Sequence, residues 1–200
     1  MARRMLILAG WLLALAPPVR AAESVWQAAP LPPEAVQLNQ KADAAADPAA
    51  AVALYVQALR ACPSNGPALY GLGRALLAQD RAADSLKVLR RMDVLYPDDA
   101  AIQETLAAAS ARLPDPSRAD IAAGLAYAER AVQLAPGSAM AFHLLSVLRH
   151  LNGDYAAAAE AARQSVALDA QNPVDPETTA SYQQQETACT DALSAFSPLD

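Results

Sequence analysis

The chain has 200 residues, a one-domain length, and 54% of them are hydrophobic, enough to bury a core. Its formal net charge is −6, and the 15 basic residues form no stripe, which excludes the charge pattern of a nucleic-acid or anionic-lipid binder. Two cysteines, Cys62 and Cys189, are too few for a disulfide scaffold, and no CxxC pair supports thioredoxin-type redox chemistry. Residues 1–22 read as a secretory signal peptide. Arg3 and Arg4 precede the apolar run Met5 to Ala16, Pro17-Pro18 break it, and Val19-Arg20-Ala21 offers a cleavage site. The run is short for a membrane span, although an uncleaved anchor is the other reading. No cysteine follows it for acylation. Removal of Arg3, Arg4 and Arg20 leaves 12 basic against 21 acidic side chains, a net charge of −9. The expected compartment is the bacterial periplasm, with 23–31 as a linker and a mature chain that does not insert stably in a membrane.

Residues 32–172 divide into four units, 32–65, 66–99, 100–138 and 139–172. Each reads as two amphipathic helices around a short turn. Pro63 and Pro97 lie 34 residues apart. The second unit carries Leu69, Leu72, Gly73 and Leu76 on its first helix, Ser85, Leu89 and Met92 on its second, and Pro97 at its close. The fourth carries Phe142, Leu145 and Ser146, the turn Gly153-Asp154-Tyr155, then Ala158, Ala162 and Ser165. The first unit has Ala35, Leu38, Ala51, Tyr55, Ala58, Leu59 and Pro63, with Asn39 where a small residue is expected. The third is irregular. Ile102, Gln103 and Leu106 start it in phase, but Pro136 falls 39 residues after Pro97, and a longer turn around Leu113 to Ser117 is expected to bulge from one face. Such a unit cannot bury its apolar face alone, so the units must stack.

On these residues the chain resembles the tetratricopeptide repeat family. The resemblance implies an all-α, right-handed helix-pair solenoid of about four repeats. It also implies a concave groove lined by first helices, and a protein or peptide partner rather than a substrate. The family's inward-facing positions, carried over one by one, are Val36, Gln40 and Asp43 in the first unit and Tyr70, Arg74 and Leu77 in the second. Glu104 and Ala108 follow in the third, and His143, Val147 and His150 in the fourth. Of these Gln40, Asp43, Tyr70, Arg74, Glu104, His143, Val147 and His150 form the candidate partner-binding groove. Tyr70 with Arg74 is its candidate anchor, because these residue types dominate interface energetics. Packing of Tyr70 between repeats, with Arg74 solvated, is the competing reading.

After Pro173, Asp175-Pro176 suits the start of a ninth helix, on which Tyr182, Cys189, Leu193 and Phe196 share one face. This segment, 173–200, either caps the last repeat or stays mobile until a partner orders it. A Cys62–Cys189 disulfide is permitted by the compartment but requires the tail to run back along the solenoid; two buried or separate thiols, or a linked dimer, are the alternatives.

Catalysis, metals and cofactors are not expected. There is no glycine-rich phosphate loop, no Gly-x-Ser-x-Gly and no paired-histidine metal motif. His143 and His150, seven apart, are about 10.5 Å apart along a helix axis, too far for one ion. Asp98, Asp99, Asp115, Asp120 and Asp154 fall at expected helix starts and turns, where they complement the dipole. The sequence therefore points to a non-catalytic adaptor that holds a segment of another envelope protein in assembly, secretion or maturation. The alternative is a self-associating or permanent complex subunit that uses outer-face residues such as Val88, Leu95 and Val166.

Overall fold

The computed structural model describes residues 30–196; the signal-peptide reading lies outside them, as does most of the expected 23–31 linker. Among the described residues there are nine α-helices and no strands. They are α1 (Pro33–Asp43), α2 (Pro48–Ala61), α3 (Gly66–Ala78), α4 (Ala82–Leu95), α5 (Ala100–Ala111), α6 (Arg118–Leu134), α7 (Ala139–Asn152), α8 (Tyr155–Gln171) and α9 (Pro176–Phe196). Each packs on the next, and each odd-numbered helix also touches the next odd one, which is the contact pattern of a helix-pair solenoid.

Local chemistry sets the helix starts. Asn65 accepts from the Ala68 N–H at 3.1 Å, Asp99 from Ile102 at 3.1 Å and Ser138 from Ala141 at 3.1 Å. Asp154 starts α8, and Asp175 accepts from the Thr178 N–H at 2.9 Å to start α9. Ser117 and Asp120 form a reciprocal capping box at α6. Most of the aspartates noted above therefore satisfy helix ends. Asp115 instead occupies a turn at φ 50°, a conformation aspartate tolerates better than most residues.

Close helix approach sets the packing. A Cβ on Gly73 would lie 2.6 Å from the Leu89 side chain, and Ser85 donates to the Gly73 carbonyl at 2.8 Å. Gly124 likewise lets α6 sit against Ser110 of α5 and Leu148 of α7. The apolar clusters are continuous. Leu59 and Val88 pack against both the first-repeat and the second-repeat clusters, and Ala108 and Tyr127 join the second to the fourth.

The irregular third unit is accommodated in two places. Its inter-helix turn spans six residues, 112–117, against three between α3 and α4. The second helix is also longer, 17 residues in α6 against 14 in α4. Sequence spacing alone assigns the whole excess to the turn. The structure divides it, because α6 continues its apolar stripe through Ala128 and Ala131 before Pro136 stops it. The turn carries Leu113 over the outer face of α4, beside Leu86, Lys87 and Arg90.

Asn39, out of pattern by size, is explained by its partner. Its amide exchanges two hydrogen bonds with Asn65, each 3.1 Å, in a buried pair that ties α1 to the start of α3. Asn39→Leu raises local apolarity but leaves a buried donor on Asn65 unsatisfied. The expected loss of stability is about 1–3 kcal/mol. Urea denaturation followed by helical circular dichroism checks this, and an unchanged midpoint would show that the amide pair contributes nothing.

Candidate functional site

The predicted groove residues fall into three tiers along the odd-numbered helices, and the structure treats the tiers differently. The first tier turns into the seams between successive odd-numbered helices. Tyr70 is 8% exposed, packs in the core cluster with Leu69, Leu77 and Ile102, and has its hydroxyl 3.3 Å from that of Thr105 on α5. Burial raises its pKa, opposed by Thr105 and by the Arg74 charge. Glu104 is partly buried and accepts a hydrogen bond from the Ser138 hydroxyl at the start of α7. Burial pushes its carboxyl above the usual range, against the Ser138 bond, and the neighbouring Asp99 charge adds to the rise. His143 is fully buried, with its ring centroid 4.8 Å from that of Tyr182 on α9, and burial lowers its pKa to about 3.

The middle tier remains accessible. Gln40 is exposed, while Arg74, Ala108 and Val147 are half-buried. The Arg74 guanidinium lies 5.8 Å from the Tyr70 ring centroid, within cation–π range. In the third tier Asp43 is exposed and accepts from the Tyr55 hydroxyl, and Leu77 is buried. His150 is half-buried, with Nδ1 3.6 Å from the Cys189 sulfur and its ring edge-on to Tyr155 at 5.3 Å.

The eight candidates thus do not form one open surface. Gln40, Asp43, Arg74 and Val147 keep access to solvent, whereas Tyr70, Glu104 and His143 help join one repeat to the next. Tyr70 is packed between α3 and α5, and the half-buried Arg74 guanidinium lies over its ring. Thr105, Ser138 and Tyr182 belong to the same seams, a role their sequence positions do not reveal. Ser138 carries a local signal as a helix-start residue, but its reach to Glu104 is long-range.

Among the described residues no group of three or more His, Cys, Asp or Glu side chains could hold a metal ion. No helix there is long and apolar enough to cross a membrane. Cys62, at the end of α2, and Cys189, inside the α9 contact, are free thiols. The tail does not run back along the solenoid: α9 packs on α8 and α7. Its Tyr182 and Cys189 are buried and Leu193 packs with Ala158, Ala159 and Ala162, while the side chain of Phe196 lies outside the described residues.

Comparisons with known proteins agree with this geometry. Two models described as tetratricopeptide repeat match residues 44–110 and 117–173, together more than half of the chain. TTC0263, a tetratricopeptide repeat protein of Thermus thermophilus, superposes with a TM-score of 0.59 at 20% identity, covering 80% of this chain and 83% of that one. MamA from Desulfovibrio magneticus RS-1 gives a TM-score of 0.63 at 17% identity, covering 84% and 99%. At such identity these structures are similar in fold alone. A comparison with curated proteins gives no match.

The burial difference separates the anchor pair experimentally. Tyr70→Ala empties a core site and is expected to cost about 3–5 kcal/mol. Arg74→Ala removes a half-exposed cation–π contact and is expected to cost no more than about 1 kcal/mol. Thermal melts of the two variants check this; equal losses would contradict the tier assignment.

Proposed function

Because the chain belongs to the tetratricopeptide repeat family, we propose that it is a non-catalytic scaffold of the bacterial envelope, holding a segment of another protein along the face lined by its odd-numbered helices. The observation that carries this reading is the accessible middle tier of Gln40, Arg74, Ala108 and Val147, backed by a seam that packing and hydrogen bonds already fix. A pre-ordered surface loses little conformational entropy on binding, which favours capture of an extended or helical segment. Arg74, held over Tyr70, is the proposed central contact. The seam around it is short of cations, so a strongly acidic peptide fits poorly. Export rests on the sequence grammar of residues 1–22 and stays part of this proposal, as do roles in assembly, secretion or maturation.

Arg74 is the clean residue to test, since Tyr70 also supports the core. The mature chain and its Arg74→Glu variant are used to capture partners from the native envelope fraction. A partner held by the wild type is expected to bind the variant at least about ten-fold more weakly, the scale of an interface hot spot. Equal retention would place the interface elsewhere.

The outer-face reading keeps one specific support. Val94 and Leu95, at the end of α4, are 82% and 53% exposed. Val88 packs against two core clusters and Val166 is half-buried, so neither offers the free apolar surface expected of it. If the outer face drives self-association, Leu95→Asp turns an oligomer into a monomer in sedimentation velocity. A wild type that sediments as a monomer at all concentrations removes this reading.

A further inference from the structure

The chain contains four asparagines, Asn39, Asn65, Asn152 and Asn172, and two of them, Asn65 and Asn152, precede a glycine. An asparagine followed by glycine carries its own reaction. The next backbone nitrogen, once it has lost its proton, attacks the side-chain carbonyl carbon, and glycine has no Cβ to obstruct the approach. The structure places the two Asn-Gly steps in opposite surroundings.

Asn65 is fully buried at the start of α3, and both ends of its amide are held. Its Oδ1 accepts from Asn39 Nδ2 and from the Ala68 N–H, each at 3.1 Å, and its Nδ2 donates to Asn39 Oδ1 at 3.1 Å. Turning that amide toward the Gly66 nitrogen breaks these bonds in a place that water and base do not reach. Asn39 is held by the same pair and precedes the bulkier Gln40. Asn172 precedes Pro173, whose ring nitrogen has no proton to give up.

Asn152 differs on each count. It is the last residue of α7, it is exposed, and its amide carries none of the bonds that hold Asn65. Gly153 follows at φ 85°, with open space where a Cβ would point. One restraint acts on it. The Gly153 N–H donates to the His150 carbonyl at 3.0 Å, and the Asp154 N–H donates to that of Arg149 at 2.9 Å. These are the closing bonds of a helix end, the part of a helix that opens most readily.

We propose that Asn152 is a site of spontaneous deamidation, at which the turn between α7 and α8 converts from asparagine to aspartate and isoaspartate. The reaction needs only the chain and water. A bond forms between the Gly153 nitrogen and Asn152 Cγ, and the Cγ–Nδ2 bond breaks. The side-chain nitrogen leaves as ammonia, with a proton that replaces the one lost by the backbone nitrogen. Water then opens the cyclic imide at one of its two carbonyls. Opening at Cγ restores the normal backbone and leaves aspartate. Opening at the backbone carbonyl leaves isoaspartate, with the main chain running through the side chain and longer by one methylene. Either product puts a carboxylate at the carbonyl end of α7, where the helix dipole disfavours it, beside the Asp154 that starts α8.

The full chain, native and urea-unfolded, is incubated at neutral pH and then digested. Cleavage after arginine isolates the two steps on separate peptides, 61–74 and 150–163, and mass spectrometry follows the replacement of amide by acid in each. Native Asn152 is expected to convert within about ten-fold of its unfolded rate, since only a fraying helix end protects it. Native Asn65 is expected to be slowed at least about a hundred-fold, because its amide pair must open first. Equal protection of the two overturns the proposal, as does an Asn152 that converts only in the unfolded chain. Asn152→Gln keeps the amide on a longer arm that does not close the same ring, so its 150–163 peptide should hold its mass. A mass change that survives in this variant also overturns the assignment.

Discussion

The structure depends on one constraint: a pair of amphipathic helices has no third layer of its own, so each repeat must use the next as its core. That demand fixes where side chains can be large. Leu89 packs into the space left by Gly73, and Leu148 into the space left by Gly124. Three clusters run into one another through Leu59, Val88, Ala108 and Tyr127, so burial is continuous from the first repeat to the fourth although no single centre organises it. Alanine serves this arrangement twice, as a strong helix former and as a side chain small enough for close helix approach. The end of the stack is closed by α9, whose Tyr182 and Cys189 turn inward while Gln183, Gln184, Thr187 and Thr190 lie on its more accessible side.

The seams between odd-numbered helices follow different chemistry from the apolar clusters. Asn39 with Asn65, Tyr70 with Thr105, Glu104 with Ser138 and His143 with Tyr182 all join one first helix to the next or to the start of the next. The hydrogen-bonded pairs among them are buried polar groups that satisfy one another, which specifies one arrangement among the many that apolar stripes alone would allow, while His143 and Tyr182 meet as rings. Exposed ion pairs between successive corners, Arg112 with Asp80 and Arg130 with Asp98, add little energy in water but repeat the same spacing. The same positions that rigidify the stack border the face proposed for binding. Rigidity there and access there are consequently properties of adjacent tiers on the same helices, which is how Arg74 stays accessible above a buried Tyr70.

Much of this is legible in the residues. The period of 34, the prolines at its ends and the acidic or hydroxyl caps at helix starts are local signals, and local hydrogen bonds express them directly: Asp99 and Ser138 cap the helices they precede. The capping role of Asp175 and the shared face of Tyr182 and Cys189 are equally local. The candidate site is legible only by position. Sequence spacing places Tyr70, Arg74, Glu104 and His143 on first helices, yet it cannot distinguish a side chain in a seam from one in the groove. These differ by a rotation of one residue around the helix and by what the neighbouring repeat presents.

Helix propensity, capping and apolar periodicity act within about one repeat, so the residues alone carry the element types, their order and the need to stack. The match of Asn39 with Asn65, the division of the third unit's extra residues between a turn and a longer α6, and the docking of α9 beside α7 come from packing between repeats. The reason is physical. Those outcomes are set by contacts 26 to 39 residues apart, whose energies depend on packing at the seam and leave no periodic trace in the chain.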